Sequence, residues 1–341
     1  MKKNILIYSI ILITVALFSC KRTQDKYTTV TDRIVYDAQI MNNDPDVDPW
    51  INNMEGPQRD KFINLIFDAV KGSKIKIYDK DHKEVKYEDV ISHLMTYDTL
   101  KSSNNKNKDA KEDIIVSNSF DKNRISQIRF DEKWSMNEKT YEIKKDVFGF
   151  CPVMAELNQN GTSKYQQPLF WIYADTLNTD TANGNYIITK KIQYTISLKA
   201  TEKSPEWWIN NIEPTQRESF INTLVDAVLS NKVKAYDYAG NLMTKDLFNK
   251  YYNPTDTVDI ENPSSGKMET KIIKHELDKK DITSVRFIEE WSLNTKTFKF
   301  TKRVLAVCPV LKINDNDGNF KAWMAIFYIY FDNSLVPAKK Q

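Results

Sequence analysis

Residues 125–153 read ISQIRFDEKWSMNEKTYEIKKDVFGFCPV, and residues 282–310 read ITSVRFIEEWSLNTKTFKFTKRVLAVCPV. Fourteen of these 29 aligned positions are identical, at an offset of 157. Each stretch contains two apolar-rich runs separated by a short polar turn, Ser135–Lys139 in the first stretch. That pattern predicts an antiparallel hairpin. The same hairpin is therefore predicted twice in the chain.

The second strand of this hairpin alternates with a period of two, which places successive side chains on opposite faces. Phe148 and Phe150 are predicted to share one face. The other face is predicted to carry Tyr141, Ile143, Lys145, Val147, Gly149, Cys151 and Val153, matched in the second stretch by Phe298, Phe300, Lys302, Val304, Ala306, Cys308 and Val310.

The first strand of each hairpin contains two adjacent carboxylates. They are Asp131 with Glu132 in the first stretch and Glu289 with Glu290 in the second. Neighbouring strand residues point to opposite faces, so neither pair is arranged as an acid and a base on one face. We expect these carboxylates to lie on solvated strands.

A longer repeat lies upstream of each hairpin. Residues 50–79 read WINNMEGPQRDKFINLIFDAVKGSKIKIYD, and residues 208–237 read WINNIEPTQRESFINTLVDAVLSNKVKAYD, with 17 of 30 positions identical at an offset of 158. Pro57 and Pro214 indicate helix starts, because proline is tolerated in the first turn. A near-constant offset over roughly 100 residues indicates a duplicated domain, since short-repeat solenoids have periods of roughly 20–50 residues.

These elements predict an α+β fold of two tandem duplicated domains, each with one or two helices packed on a small antiparallel sheet. A strand-like segment between the copies could pair with either domain. The predicted divisions are 1–19 as a lipoprotein signal peptide, 20–47 as a tether, 48–175 as the first domain, 176–201 as a linker with a strand, 202–333 as the second domain and 334–341 as a tail.

The N-terminus resembles a lipoprotein signal. Lys2 and Lys3 precede a mostly apolar stretch at residues 4–18, which is too short for a confident spanning helix. The sequence Leu-Phe-Ser-Cys ending at Cys20 is similar to a bacterial lipobox and implies lipidation of Cys20. An ordinary signal peptide or an uncleaved anchor is the alternative. We expect a lipid anchor on the periplasmic face of the outer membrane.

Charge and cysteine content restrict the partners. The formal net charge is +3, and removal of residues 1–19 with their two lysines would leave about +1, which gives no electrostatic basis for nucleic-acid binding. Cys151 and Cys308 occupy equivalent positions, one in each copy. We interpret them as buried apolar residues on strands; a disulfide between domains or molecules is the alternative.

The sequence contains no recognisable catalytic or metal-binding pattern. His82, His93 and His275 lie in polar segments, and none has a histidine at the matching position of the other copy. A metal site needs clustered ligands, and neither a phosphate-binding glycine loop nor a nucleophile motif is present. We therefore predict no catalytic residue, no cofactor, no metal and no enzymatic activity.

The Trp-Ile-Asn-Asn segments before the helices are the candidate interaction surface, because tryptophan is enriched at binding hot spots. The alternative is a hydrophobic staple that closes the start of each helix. Two arginines in the first helical turns oppose the helix dipole, and Glu55 and Glu213 are their expected partners. The candidate residues are Trp50, Asn52, Asn53, Arg59, Trp207, Trp208, Asn210, Asn211 and Arg217.

Three elements together resemble the GldN/PorN family of the type IX secretion and gliding-motility machinery. They are the helix that runs into Lys-Ile-Tyr-Asp at 76–79, the hairpin from Phe130 to Val153, and Leu-Phe-Trp-Ile-Tyr at 169–173. In the second copy, residues 303–309 match the family's Arg-to-Pro strand, with alanine for its glycine and cysteine for its alanine. Family members typically have one copy and no lipid, so this chain resembles a duplicated, lipidated relative.

The resemblance implies a non-enzymatic structural component of an envelope machine. Its expected partners are the membrane, through Cys20, and proteins of an envelope assembly or further copies of the chain. The tandem copies would add avidity. The alternative function is a ligand-binding envelope lipoprotein that recognises peptidoglycan or another glycan through exposed tryptophans.

Overall fold

The computed structural model describes most of the chain. The described residues are 26–41, 54, 56–94, 96–101, 113–118, 120–157, 163–174, 184–200, 208–261, 263–264, 266–274, 277–314 and 320–338. Cys20, Trp50, Asn52, Asn53 and Trp207 lie outside this set. The predictions made for those five residues, and for the signal peptide, stay predictions.

The described residues form two copies of one order of elements, residues 26–174 (copy one) and 184–338 (copy two). Copy one contains β1 (Tyr27–Gln39), α1 (Gly56–Lys71), β2 (Ile77–Tyr78), β3 (Glu84–Val85), α2 (Tyr87–Leu94), β4 (Thr96–Lys101), β5 (Asp113–Asn118), β6 (Ile125–Asn137), β7 (Ile143–Leu157), β8 (Ser163–Pro168) and β9 (Ile172–Tyr173). Copy two contains β10 (Asn185–Ser197), α3 (Pro214–Leu229), α4 (Lys245–Tyr252), β11 (Thr255–Glu261), β12 (Met268–Lys274), β13 (Ser284–Asn294), β14 (Phe300–Asn314), β15 (Phe320–Ala325) and β16 (Ile329–Tyr330).

Each copy forms a five-stranded antiparallel sheet with the shape of a half-barrel. The strand order is β1-β6-β7-β8 in copy one, where β9 also pairs with β7. Copy two repeats this topology as β10-β13-β14-β15, with β16 on β14. The β6–β7 and β13–β14 pairs confirm the predicted hairpins. The α+β fold of two tandem duplicated regions is therefore confirmed.

The predicted tether and linker contain the first strand of each sheet. Strand β1 pairs with β6, for example Tyr36 opposite Phe130, and β10 pairs with β13. The tether was predicted with a short β-like stretch at Tyr27–Val35, and in the structure that stretch is part of the longer strand β1; the strand-like part of the linker belongs to copy two. The polar residues of β1 obscured its length in the sequence, although Ile34, Tyr36 and Ala38 are buried on its inner face and Val35 is buried on its outer face.

A β-bulge changes the predicted faces of β7. Asp131 lies opposite Gly149, but Glu132 lies opposite Val147, so Phe148 is an extra residue in the pairing. An extra residue reverses the alternation beyond it. Lys145 and Phe150 consequently share the inner face, whereas the sequence placed them on opposite faces. Strand β14 has a bulge at the corresponding place.

The two sheets share one core, which the sequence did not predict. Phe130 and Phe150 of copy one pack their rings against Phe300 of copy two, at centroid distances of 5.0 and 5.3 Å. Each long helix also contacts the other copy: Phe62 of α1 packs on Phe300, and Phe220 of α3 packs on Trp134. One hydrophobic cluster spans the inner faces of both sheets and both helices.

Candidate interaction sites

Four polar or aromatic side chains from each copy meet at the centre of the core. They project from the inner faces of the first strand and the hairpin strands of each sheet. All eight are buried. They are Tyr36, Glu132, Trp134 and Lys145 in copy one and their counterparts Tyr194, Glu289, Trp291 and Lys302 in copy two.

The ion pairs of this cluster cross between the copies. Lys145 Nζ lies 2.6 Å from Glu289 Oε1, and Lys302 Nζ lies 2.6 Å from Glu132 Oε1. All four side chains are 0% exposed. Neither lysine pairs with the glutamate of its own copy, so both charge contacts join one copy to the other.

Each glutamate is also held by its own copy through Oε2. In copy one, Tyr36 OH and Trp134 Nε1 each donate to Glu132 over 2.8 Å. In copy two, the equivalent tyrosine and tryptophan donate to Glu289 over 2.6 and 2.7 Å. Multiple donors are what a buried charge requires. The Oε2 atom of each carboxylate thus accepts two hydrogen bonds from its own copy, whereas Oε1 has the charge of the opposite lysine beside it and no hydrogen bond of good geometry.

The lysines also lie over aromatic rings of the copy that supplies their carboxylate. Lys145 Nζ is 3.3 Å from the centroid of Phe287, and Lys302 Nζ is 3.0 Å from that of Phe130. Ring faces attract cations, most strongly where water is absent. Each ammonium is thus held by a carboxylate and a ring on the opposite copy.

Burial shifts the pKa values of the ionisable side chains in this cluster. It raises the pKa of Tyr36 and Tyr194 well above their ordinary value, so both hydroxyls stay protonated. It lowers the pKa of Lys302 to about 8 against the effect of Glu132, so the ammonium is still charged near neutral pH. Burial disfavours the charged form of Glu289, but the two lysines outweigh it and hold the pKa of that carboxyl below its ordinary value.

The expectation of solvated carboxylates is wrong for three of the four residues. Glu132 and Glu289 are in the core, and Asp131 is 4% exposed and accepts three hydrogen bonds from Arg33, of 2.8, 3.0 and 3.2 Å. Glu290 pairs at the surface with Arg303. Alternation along the strand shows that adjacent side chains point to opposite faces. It does not show whether each face is exposed to solvent or covered by another part of the protein.

The sequence-predicted Trp-Ile-Asn-Asn segment of copy two docks on copy one. Ile209 packs with Val35 and Cys151 on the outer face of the first sheet. It forms a parallel bridge with Val35, whose carbonyl accepts a 2.8 Å hydrogen bond from the Asn210 amide. Trp208 lies over the guanidinium of Arg129 at 5.9 Å and stays 42% exposed. This segment extends the edge of β1.

The remaining candidates within the described residues stand apart from one another. Arg59 is buried and donates to Asp60 and to the Asn123 carbonyl, and its expected partner Glu55 lies outside the described residues. Arg217 donates to the Ile212 carbonyl. Asn211 is exposed and next to the docked segment, so the structure does not gather the candidates into one surface.

Glu213 caps helix α3. Its carboxylate accepts from the backbone of Thr215 and Gln216 and from the Thr215 hydroxyl. Those hydrogen bonds, and then the charge of Arg217, lower the pKa of Glu213. The predicted helix start at Pro214 is confirmed, and the glutamate acts as a cap in addition to being near the arginine.

The outer faces of the two sheets differ. In copy one, Arg129 binds Asp37 through two hydrogen bonds of 2.7 and 2.9 Å beneath the docked segment. In copy two, Arg286 donates instead to Thr195, the counterpart of Asp37. A groove of about 770 Å³ lies over this face. Its aromatic lining consists of Tyr238, Tyr251, Tyr252, Trp323, Tyr328 and Tyr330.

A hairpin projects from copy two. Strands β11 and β12 pair over seven residues and with no other strand of the described part of the chain. Both strands carry apolar side chains into solvent. Met268 and Ile272, each 66% exposed, lie on one face of the hairpin, and the exposed Val258, Ile260 and Ile273 lie on the other. Exposed apolar side chains on both faces indicate an interaction site.

Nothing in the described residues points to metal or thiol chemistry. Within them, no group of three or more His, Cys, Asp or Glu side chains could hold a metal ion. Cys151 and Cys308 are buried free thiols, and burial raises the pKa of each to about 12. His82 stacks on Tyr173, and His93 contacts the Asp89 carbonyl.

Sequence reasoning missed the central cluster, although the sequence contained a signal for it. A tyrosine, a glutamate, a tryptophan and a lysine occur at matching positions in both copies, at offsets of 157 or 158. The glutamates were expected on solvated strands, and the two lysines were placed on one face of the second hairpin strand without a partner; charged side chains are seldom buried unless they are paired. Their partners become apparent only when the two copies are placed face to face.

The duplication also appears in a comparison with known families. The family described as gliding motility associated protein GldN matches the chain twice, over residues 42–198 and 181–337. A search among curated proteins gave no significant match. In the part of the chain that the structure describes, none of the helices has both the length and the apolar composition needed to cross a membrane.

Proposed function

The chain belongs to the GldN family, and we propose that it is a non-enzymatic structural lipoprotein of the cell envelope. In this proposal a lipid on Cys20 holds the protein at the periplasmic face of the outer membrane. The folded copies then act as an assembly component of a gliding-motility or type IX secretion machine. A lipoprotein carries two or more acyl chains, which anchor stably where a single chain would not.

The projecting hairpin β11–β12 is the observation that carries the assembly role. Every residue of β12 is exposed. An isolated hairpin is marginally stable in water, and an exposed strand edge can pair with a strand of another protein. Such a partner would cover Ile272 and Met268 and bury apolar surface that is now in water.

Copy one offers a second hairpin at the equivalent place. Strands β4 and β5 pair with each other between α2 and β6, as β11 and β12 do between α4 and β13. Two hairpins on one rigid body would contact an assembly at two points. Binding at the first point then raises the effective concentration of the second.

The test is crosslinking in the envelope of cells that make the protein, followed by gentle extraction and mass spectrometry. We expect a large complex with other secretion or gliding components, and crosslinks at the β11–β12 hairpin. Ile272→Ser should reduce the recovered complex, whereas Lys271→Ser, which leaves every apolar side chain of the hairpin in place, should not. A monomeric protein that co-purifies with nothing would contradict the proposal.

A glycan-binding role is the second candidate, favoured by the aromatic groove of copy two. Rings such as Tyr251 and Trp323 line the groove together with polar side chains, including those of Asp237 and Asn241. Binding of the purified protein to sacculi, lost in Tyr251→Ala but kept in Trp208→Ala, would support this role at the groove. Loss in Trp208→Ala alone would place binding at the docked segment.

A further inference from the structure

The inner face of each copy is an interaction surface, and the other copy occupies it. We infer that the chain is an obligate dimer of GldN-like halves within one polypeptide, held by the inner faces and not by the connecting peptide. The partner that fits either inner face is a second GldN-like half with the same crossed lysine and glutamate pattern. This inference does not depend on the proposed function.

The crossed ion pairs provide the first argument. Lys145 and Lys302 each find their carboxylate only on the opposite copy, at 2.6 Å and without exposure to solvent. Separation would leave two ammonium and two carboxylate groups on an otherwise apolar face. Separation would return these charges to water but would also expose the apolar residues around them, so the apolar surface makes separation costly and the crossed pairs determine which surface fits.

The local symmetry provides the second argument. The hydroxyls of Tyr36 and Tyr194, which occupy equivalent positions in the two copies, lie 3.2 Å apart, and their rings stack at 6.2 Å. Equivalent residues meet in this way at the two-fold axis of an isologous dimer, where residue i contacts j and j contacts i. The reciprocal Lys–Glu contacts follow the same rule.

Exchanged elements provide the third argument. Phe62 of α1 packs on Phe300 of copy two, while Phe220 of α3 packs on Trp134 of copy one. On the outer face, Ile209 of copy two is buried against copy one. Each copy therefore completes the core of the other, as in obligate interfaces, which resemble a domain core cut in half.

The inference restricts what outside partners can contact. Because each inner face is buried against the other copy, an envelope partner can contact only the outer faces, the groove or the hairpins. The two copies present these surfaces as one rigid unit with a fixed ratio of one to one. Any avidity that the tandem copies add would then come from two fixed contact points on one body.

The test is a full-length chain with a specific protease site inserted between Asn178 and Thr179, cut after folding. We expect the two fragments to stay together as one particle with the mass of the uncut protein, in size-exclusion chromatography with light scattering and in native mass spectrometry. They should also unfold together in urea. Separation of the fragments, in soluble or aggregated form, would overturn the inference.

A charge reversal tests whether the crossed pairs hold the cut halves. Lys145→Glu places two carboxylates together and should raise the dissociation constant of the cut particle by about 100-fold or more. Glu289→Gln added to it removes one of the two opposed carboxylates, keeps an acceptor for Tyr194 and Trp291, and should restore part of the affinity. Lys144→Glu, at the exposed neighbouring position, is the control and should change the constant less than about 5-fold. If Lys145→Glu and Lys144→Glu changed the dissociation constant equally, the crossed pairs would not hold the cut halves together.

Discussion

The crossed pair Lys302–Glu132 allows a quantitative test of the core. The two charges are 2.6 Å apart, so at an effective dielectric constant of about 20 their attraction is about 6 kcal/mol before the cost of desolvation. We expect Lys302→Met alone to lower the free energy of unfolding by about 3–5 kcal/mol, because it leaves Glu132 buried with neutral donors and the more distant Lys145.

The double-mutant cycle separates the pair from its surroundings. Glu132→Gln should also cost about 3–5 kcal/mol, since Lys302 then loses its carboxylate. The double variant should cost much less than the sum of the single variants, which gives a coupling energy of about 3 kcal/mol. Urea unfolding followed by fluorescence measures all four proteins, because Trp134 and Trp291 are buried beside the pair.

A surface ion pair whose arginine directly follows Lys302 in the sequence is the control. Arg303 and Glu290 lie 3.2 Å apart, but the arginine side chain is 56% exposed. The cycle of Arg303→Met and Glu290→Gln should give a coupling energy below about 1 kcal/mol. If the cycle on Lys302 and Glu132 also gave less than about 1 kcal/mol, the crossed pair would not join the copies energetically, and the reasoning would be refuted.

Three further predictions concern the same fold. Gly149→Ala should destabilise the protein by about 1–3 kcal/mol in urea unfolding, because a Cβ there would lie 2.6 Å from the Tyr173 ring; an unchanged midpoint would contradict this. Burial raises the pKa of Tyr36 and Tyr194 above the ordinary value of 10, so the stability they contribute is present below about pH 10 and is lost as the pH rises above it. In an absorbance titration of tyrosinate these two should ionise only together with unfolding, and ionisation near pH 10 in the folded protein would argue against their burial. The thiols of the two Cys-Pro-Val sequences should resist a thiol reagent until the protein unfolds, since burial raises the pKa of each to about 12; the measurement uses protein made without Cys20, and rapid labelling of the native state would show that they are accessible.

Several features of the fold could be predicted because they depend on local patterns. The period-two runs gave the hairpins β6–β7 and β13–β14, and proline at position 214 with helical spacing gave the start of α3. These patterns reflect side-chain directions along one element. The face of β7 could not be predicted, because the bulge at Phe148 arises from pairing with β6.

The candidate site was predicted less well, for a physical reason. The sequence marked the Trp-Ile-Asn-Asn segment, and part of it, Trp208 to Asn210, does make a contact across the copies. It did not mark Glu132 or Lys302, because a charged residue on an alternating strand is the usual sign of a solvated face. Whether such a residue is buried depends on what packs against that face of the strand, and here the other copy packs against it.

By itself the sequence determined that one α+β unit occurs twice, because a repeat offset of 157 or 158 residues and the local periodicities need no knowledge of contacts. The tertiary structure alone decided that the two units are not separate. Lys145 and Glu289 are 144 positions apart and become neighbours only when the sheets face each other. An isolated ammonium or carboxylate could not be buried there, so this long-range pairing is what turns four apparent surface charges into the centre of one core.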